Sequence, residues 1–335
     1  MTFRPETARG AVPAAPAPPA ATPIAAVDVL RERLVGLDDL VAPVVIGCSG
    51  GADSLTLLAV ACDRGLDPIA VHVDHGLRDG SGDEADVVAD AAARLGARVA
   101  RRVVDVGAGP NLEARARDRR YGALLTAADA HGAAAVLVGH TADDQAETVL
   151  LALLRGSGSA GLAGMAVRRD RVVRPLLRIR RADTERCCAA LGLEPVRDPT
   201  NDDRAYRRAW IRHEVLPLLA AGGARDLVPV LARQADVLRD ESDYLDALAR
   251  AAWPPNPDAP EAEVLSRLPR ALARRAVRCW LGSPPPSFDE VERVLAVARG
   301  EARGTELAGA RRVRRSRGIL MLEGPVRLGR DGADG

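Results

Sequence analysis

Short β-branched and apolar runs recur along the first half of the chain at 44–46, 69–73, 98–104 and 136–138. Segments with apolar residues at helical spacing separate them, at roughly 53–63, 83–95, 113–130 and 142–154. Strand and helix alternating every thirty residues or so predicts βαβ units, hence an α/β fold on a parallel sheet. Right-handed crossovers would place helices on both faces. On the helix that opens at Asp53, the residues Leu55, Leu58 and Ala59 share one face, which is expected to be the buried one. In such sheets ligands lie beyond the carboxyl ends of the strands, where strand order reverses. That edge would collect residues 49–54, 74–78 and 139–144. After about residue 215 the alternation stops. Stretches 226–252 and 260–281 read as helices between the proline-rich connectors "WPPNPDAPE" (253–261) and "GSPPPS" (282–287). The closing stretch "TELAGARRVRRSRGILMLEG" has the pattern of a hairpin turning near Arg317 and Gly318. The expected organisation is therefore a disordered Ala/Pro-rich tail over 1–23, a sheet domain over 24–215 and a mostly helical domain over 216–335.

Composition narrows the classes. With 335 residues and 47% hydrophobic content the chain can bury a core of one large or two ordinary domains. It contains no lysine: the 47 basic residues are all arginine and face 46 acidic ones, for a net charge of +1. Only local arginine clusters can then point to nucleic acid. The five cysteines form no C-x-x-C pair, which argues against a disulfide framework or zinc ribbon and for a reducing compartment. Prolines interrupt any signal core in residues 1–23 and no apolar run of membrane length follows, so a cytoplasmic protein without membrane association is expected.

The stretch "VVIGCSGGADSLTLLAV" (44–60) passes from strand through a bare turn into a helix. Backbone N–H groups and a helix N-terminus at such a turn suit a phosphate. A Walker A loop is excluded because it needs lysine, and the dinucleotide fingerprint fails because Gly47, Gly50 and Gly51 are wrongly spaced. What remains is Ser49, Gly50, Gly51, Ala52, Asp53 and Ser54. A carboxylate in a phosphate loop is repelled unless a divalent cation intervenes, so Asp53 implies Mg²⁺. Helix capping by Ser49 and Asp53 is the plainer alternative.

The S-G-G-x-D-S string resembles the signature of the ATP pyrophosphatases. With "HVDHGLR" (72–78), "NLEARARDRRY" (111–121), "GHTADDQAETVLLALLRGSG" (139–158), "RPLL" (174–177) and "DPTNDDRAYRRAWIRHEVLPLL" (198–219), the chain resembles the tRNA(Ile)-lysidine synthetase family over roughly 41–219. The resemblance implies a Rossmann-like N-type ATP pyrophosphatase domain over 24–215 and a tRNA-binding domain over 216–335. It implies ATP and Mg²⁺ as cofactors, with tRNA(Ile) carrying a CAU anticodon and free L-lysine as partners. The reaction would adenylate the wobble cytidine and then join lysine to it. Asp53 and Asp144 would hold the metal, His140 would line the nucleotide site, and Glu147 would recognise lysine. Arg117 and Arg120 would face the reacting nucleotide, and the main chain of His72 and Val73 would flank the adenine. A capping box from Thr141 to Asp144 accounts equally for those two residues. It leaves His140, Asp143 and Glu147 unexplained.

From Arg168 to Arg186 eight arginines face three acidic residues; Arg204, Arg207, Arg208 and Arg212 follow, and Arg311, Arg312, Arg314, Arg315 and Arg317 form another group. Such clusters suit a phosphate backbone or a solvated face. Arg174, Arg178, Arg204, Arg208 and Arg212 are the candidate tRNA contacts, and Tyr206 and Trp210 would stack on a base or pack between domains. Two departures from the family pattern are Ala209, where an asparagine is usual, and the expected lack of the further C-terminal domain of longer members. A homodimer is one option the sequence leaves open. Thiolation of tRNA on the same fold needs paired cysteines that are missing here, and a nucleotide- or RNA-binding module without turnover is the remaining alternative.

Overall fold

A computed structural model of the chain describes residues 23–76, 81–107, 109, 112–196, 207–223, 225–252, 260–282 and 284–324. After helix α1 (Pro23–Arg31) the chain alternates β1 (Val44–Gly47), α2 (Ala52–Asp63), β2 (Pro68–Asp74), α3 (Ser81–Leu95), β3 (Arg98–Val103), α4 (Leu112–Ala130), β4 (Ala135–Val138) and α5 (Ala142–Leu154). A short helix α6 (Ser159–Leu162), the two-residue strands β5 (Arg168–Arg169) and β6 (Val172–Val173), and α7 (Arg181–Ala190) follow. The sheet order is β3-β2-β1-β4-β6-β5, all parallel except β5 against β6. The parallel α/β architecture read from the hydrophobic pattern is thus the one observed. The β5–β6 edge was not anticipated, because "RRDRVV" reads as a charged loop and its turn depends on Asp170 at φ 53°.

The central strands β1, β2 and β4 are covered on both faces, which is why they read as apolar runs without alternation, whereas the edge strand β3 is largely exposed. On one face Val44 and Ile46 join Leu55, Leu58, Val88, Leu176 and Ile179; on the other Val45 and Val136 pack with Leu124 and Ala127 of α4. Helix α2 departs from the expected single apolar face: every residue from Ser54 to Ala61 is buried. It lies under α1, α3 and α7 as well as on the sheet, so no side of it meets solvent. Strand order reverses between β1 and β4, and the carboxyl ends of these strands carry residues 48–54 and 139–144.

By contact the chain divides into two compact units, Met1–Glu147 with Met165–Ala232, and Thr148–Gly164 with Arg233–Gly335. The first unit also takes in α8 (Arg207–Trp210), a π-helical turn over Ile211–Val215, α9 (Leu216–Gly223) and the start of α10 (Leu227–Ala251). The second is mostly helical. Its core joins α11 (Ala262–Arg267), α12 (Arg270–Leu281) and α13 (Phe288–Arg299) to an antiparallel sheet of β7 (Gly304–Leu307), β8 (Arg311–Ser316) and β9 (Ile319–Glu323). The expected hairpin is β8–β9. Its turn residues Arg317 and Gly318 have φ of 52° and 85°, the left-handed pair that matches strand twist. No single helix among the described residues is long and apolar enough to cross a membrane.

Candidate active site

The bare turn after β1 is held from within. Ser54 Oγ accepts from the Ser49 N–H at 3.2 Å and donates to the Gly51 carbonyl at 2.9 Å. Gly50 sits at φ +80°, and a Cβ there would meet Val196 Cγ2 at 3.1 Å. In the first turn of α2 the Ser54 and Leu55 N–H groups already donate to the Gly51 carbonyl at 3.1 Å, which leaves those of Ala52 and Asp53 as the helix-start N–H groups without an intrahelical acceptor. β2 runs three residues past the last β1 pairing, Gly47 with Val71, so the main chain of His72 and Val73 borders the crevice on that side. The His72 ring is 3% exposed, with Nδ1 3.2 Å from the Cys48 carbonyl. On the other side Gly139 is pressed against the loop: a Cβ there would lie 3.0 Å from the Asp53 carbonyl carbon and 3.1 Å from Ser54 N.

Three carboxylates meet at one guanidinium. Arg181, the first residue of α7, directs Nη2 to Asp144 Oδ1 at 2.8 Å, Nε to Asp53 Oδ2 at 3.4 Å and Nη1 to Glu147 Oε1 at 3.8 Å. A cation at a helix N-terminus is disfavoured by the helix dipole, so these acids are what hold it there. Asp53 also accepts from the Thr184 hydroxyl. Burial raises its carboxyl to about 6; Arg181 opposes the rise and Asp144 adds to it. Asp144 is also buried, yet Arg181, His140 and the Thr141 amide together hold its carboxyl below the usual range. The capping box is real: Asp144 Oδ2 accepts from Thr141 N at 2.8 Å and from Thr141 Oγ1 at 3.0 Å. Cap and site share one residue, each using a different oxygen. Glu147 is fully buried. Burial lifts its carboxyl, while Arg212 Nε, 2.7 Å from Oε1, restrains it. Its Oε2 has no hydrogen bond among the described residues.

A second cluster is cationic. Arg117 and Arg120 lie over the Tyr121 ring, 5.0 and 5.6 Å from its centroid, and Arg117 Nη2 is 3.3 Å from the hydroxyl. Arg174 bonds to the same tyrosine. Burial pushes the His140 ring well below its usual range, and Arg120, Arg117 and Arg174 push it further against the pull of Asp144, so it is neutral.

The structure brings Ser49–Ser54, Asp53, His140, Asp144 and Glu147 to one crevice, with Arg208 and Arg212 beside them. Arg208 Nη1 is 3.8 Å from Glu147 Oε2, so two expected tRNA contacts point at the carboxylate expected to bind lysine. Arg174, read as a tRNA contact, is 6% exposed, with Nη1 on the Ala166 carbonyl at 2.9 Å. It does not line an exposed track. Arg178 is exposed, and Arg204 and Tyr206 lie outside the described residues, as does Arg78. Much of the Arg168–Arg186 charge is spent internally, on pairs such as Arg168–Asp39, Arg171–Asp129 and Arg180–Asp143. In the last cluster Arg311 and Arg315 bond to the carbonyls of Leu281 and Ala298. Asp143, otherwise unexplained, receives the Arg181 N–H at 2.8 Å and clasps Arg180. Sequence reasoning missed Arg181 and Thr184. The signal available was the Arg180–Arg181 pair opening a helix, a placement that needs acids nearby.

Residues 35–219 match the PP-loop domain family and residues 261–321 the TilS substrate binding domain. A tRNA(Ile)-lysidine synthase of Thermobifida fusca is 44% identical over 294 residues, 83% of this chain and 91% of its own. That of Nocardia farcinica is 43% identical over 311 residues, covering 89% and 96%. Among solved structures, the U34-tRNA thiolase NcsA from Methanococcus maripaludis with its [4Fe-4S] cluster superposes with a TM-score of 0.53 at 18% identity. That match covers 64% of this chain and 78% of the other, and shows the shared fold alone.

Proposed function

This chain belongs to the tRNA(Ile)-lysidine synthase family, and on that premise we propose how its residues divide the ATP-dependent joining of lysine to the wobble cytidine of tRNA(Ile). The cytidine carbonyl oxygen attacks the α-phosphorus of ATP and pyrophosphate departs. The ε-amine of lysine then attacks the ring carbon, and AMP leaves with the oxygen. The loop N–H groups at the start of α2, with Ser49, Gly50, Gly51, Ala52 and Ser54, receive the departing pyrophosphate. The main chain of His72 and Val73 flanks the adenine.

Asp53 and Asp144 are the proposed Mg²⁺ ligands. Half-buried Asp53 and buried Asp144 share the Arg181 guanidinium, and each raises the other's need for a cation. A pair of carboxylates completed by substrate phosphates is the usual way Mg²⁺ is held. Bound there, the ion would neutralise phosphate charge. Glu147 is proposed to take the ammonium of free L-lysine on Oε2 and to hold the proton the amine sheds before attack; burial, which lifts its carboxyl, suits it to that task. Arg117, Arg120 and His140 face the reacting nucleotide. Arg178, Arg204, Arg208 and Arg212 remain the proposed tRNA contacts, and a second copy of the chain is a candidate partner that sedimentation would reveal. The observation that carries the reading is the Arg181 hub, which sets Asp53, Asp144 and Glu147 around one point beside the loop.

Thiolation is disfavoured because the chain has no C-x-x-C pair and because Cys48, Cys187 and Cys188 are buried, desolvation lifting Cys48 and Cys187 to about 11; Cys62 is half-buried and Cys279 is exposed. ATP–pyrophosphate exchange that requires tRNA, followed by lysine-dependent AMP release, is the expected behaviour. Exchange without tRNA, or AMP release indifferent to lysine, would reject the division of roles.

A further inference from the structure

Asp53 and Asp144 each offer Arg181 one oxygen and keep the other elsewhere. Asp144 gives Oδ1 to Arg181 Nη2 at 2.8 Å, while its Oδ2 is held by the N–H and hydroxyl of Thr141. Asp53 gives Oδ2 to Arg181 Nε at 3.4 Å, while its Oδ1 is held by the Thr184 hydroxyl. Thr141 serves a local cap three residues from its acid. Thr184 reaches Asp53 from α7, 131 residues away.

The plain reading of a threonine in a first helical turn is a bond back to its own helix, and the Arg181 carbonyl does lie 2.7 Å from Thr184 Oγ1. A hydroxyl has one proton, however, and of these two acceptors an ionised carboxylate is the stronger. The seam between α2 and α7 also holds the pair in place. Thr56 Oγ1 donates to the Thr184 carbonyl at 3.0 Å, and Cys188 Sγ to the carbonyl of Ala52, the neighbour of Asp53, at 3.3 Å. Thr56, Thr184 and Cys188 are all at most 1% exposed, polar side chains inside an otherwise apolar core. The main chains of Asp53 and Thr184 are thus set before their side chains meet.

We infer that Thr184 is the positioning residue that decides how Asp53 meets a cation: by holding Oδ1 it leaves Oδ2 alone to ligate, and so favours Mg²⁺ over Ca²⁺. The inference rests on the proposed metal reading and deepens it. Mg²⁺ is small and demands octahedral geometry with few protein ligands, whereas Ca²⁺ takes more oxygens and accepts a carboxylate through both of them. One oxygen from each of two acids suits the smaller ion. Without the hydroxyl, Asp53 is free to turn and offer both.

Thermal melting of the full chain in saturating α,β-methylene-ATP, an uncleavable analogue, with Mg²⁺ or Ca²⁺ varied, reads the ion concentration that gives half of the full stabilisation. The analogue's own ion preference is common to all variants and cancels between them. Thr184→Val should lower the half-point for Ca²⁺ relative to that for Mg²⁺ by about tenfold, the worth of one hydrogen bond to a charged group. Thr184→Ser should keep the wild-type ratio. An unchanged ratio in Thr184→Val, whatever its melting temperature, makes the hydroxyl a structural bond only and overturns the inference. So does an equal displacement in Thr184→Ser. Should Thr184→Val fail to fold, Thr184→Ala carries the same comparison. A wild type that responds to neither ion, or no more than Asp53→Asn does, rejects the metal reading and the inference with it. An ion response that Asp53→Asn abolishes and Thr184→Val leaves at the wild-type ratio keeps that reading and removes Thr184 from it.

Discussion

Asp53→Asn keeps shape and removes charge at the point where the loop, Arg181 and Asp144 meet. Burial lifts this carboxyl from its ordinary 3.8 to about 6. A rise of that size corresponds to about 3 kcal/mol of folded-state destabilisation at pH 7. The side chain is 22% exposed, and the amide loses the charged contacts to Arg181 and Thr184, so a net gain of about 1–2 kcal/mol is expected. Because the folded pKa lies above the unfolded one, the native state holds more protons between about pH 4 and 6, and wild-type stability falls as pH rises through that window. The variant lacks this slope. Urea unfolding at pH 7 should therefore show Asp53→Asn more stable than wild type, with the gap closing near pH 4. Added Mg²⁺ and ATP should stabilise wild type and leave the variant unchanged. A variant less stable at pH 7, or a gap that ignores pH, would refute the reasoning about charge at this site.

Three further substitutions separate the roles. Glu147→Gln should leave tRNA-dependent ATP–pyrophosphate exchange within a few-fold and cut lysine-dependent AMP release by about 10²–10⁴, the usual worth of a positioned base; equal losses in both would deny Glu147 a specific part in the second step. Arg181→Ala leaves three acids without their shared cation and should lower stability by about 3 kcal/mol, with Mg²⁺ restoring part of it; restoration by Na⁺ at equal ionic strength would argue against a metal site. Gly139→Ala places a Cβ about 3.0 Å from the Asp53 backbone, and the overpacking should cost about 1–3 kcal/mol and raise the KM for ATP. An unchanged KM would show that the loop position is not set by β4.

The α/β core was legible because its signal is local: each β-branched run is followed by a glycine-bearing turn and a helix, and 44–60 carries all three. The loop and the string 139–147 were legible for the same reason, since each places several polar groups on one strand-to-helix junction. The rest depended on contacts distant in sequence. Arg181 reads as one of eight arginines in its stretch, and only the fold sets it between Asp53, Asp144 and Glu147. Arg174 was misplaced for the same reason: charge density along the chain resembles a backbone track whether the guanidiniums point out or in. Helix α2 was expected to have a wet side because its pattern is amphipathic enough, and α7, 118 residues after its end, removes it. The Thr141 cap shows that a local structural role and a place in the site need not exclude each other.

The central claim is that this crevice activates one cytidine for attack by lysine. Mass analysis of the anticodon base, after incubating the protein with ATP, Mg²⁺, lysine and a tRNA(Ile) transcript bearing CAU, tests it most directly. The wobble cytidine should gain the mass of lysine less one water, in a reaction that Asp53→Asn abolishes. An unchanged base, or a change that proceeds equally without lysine, would contradict the account.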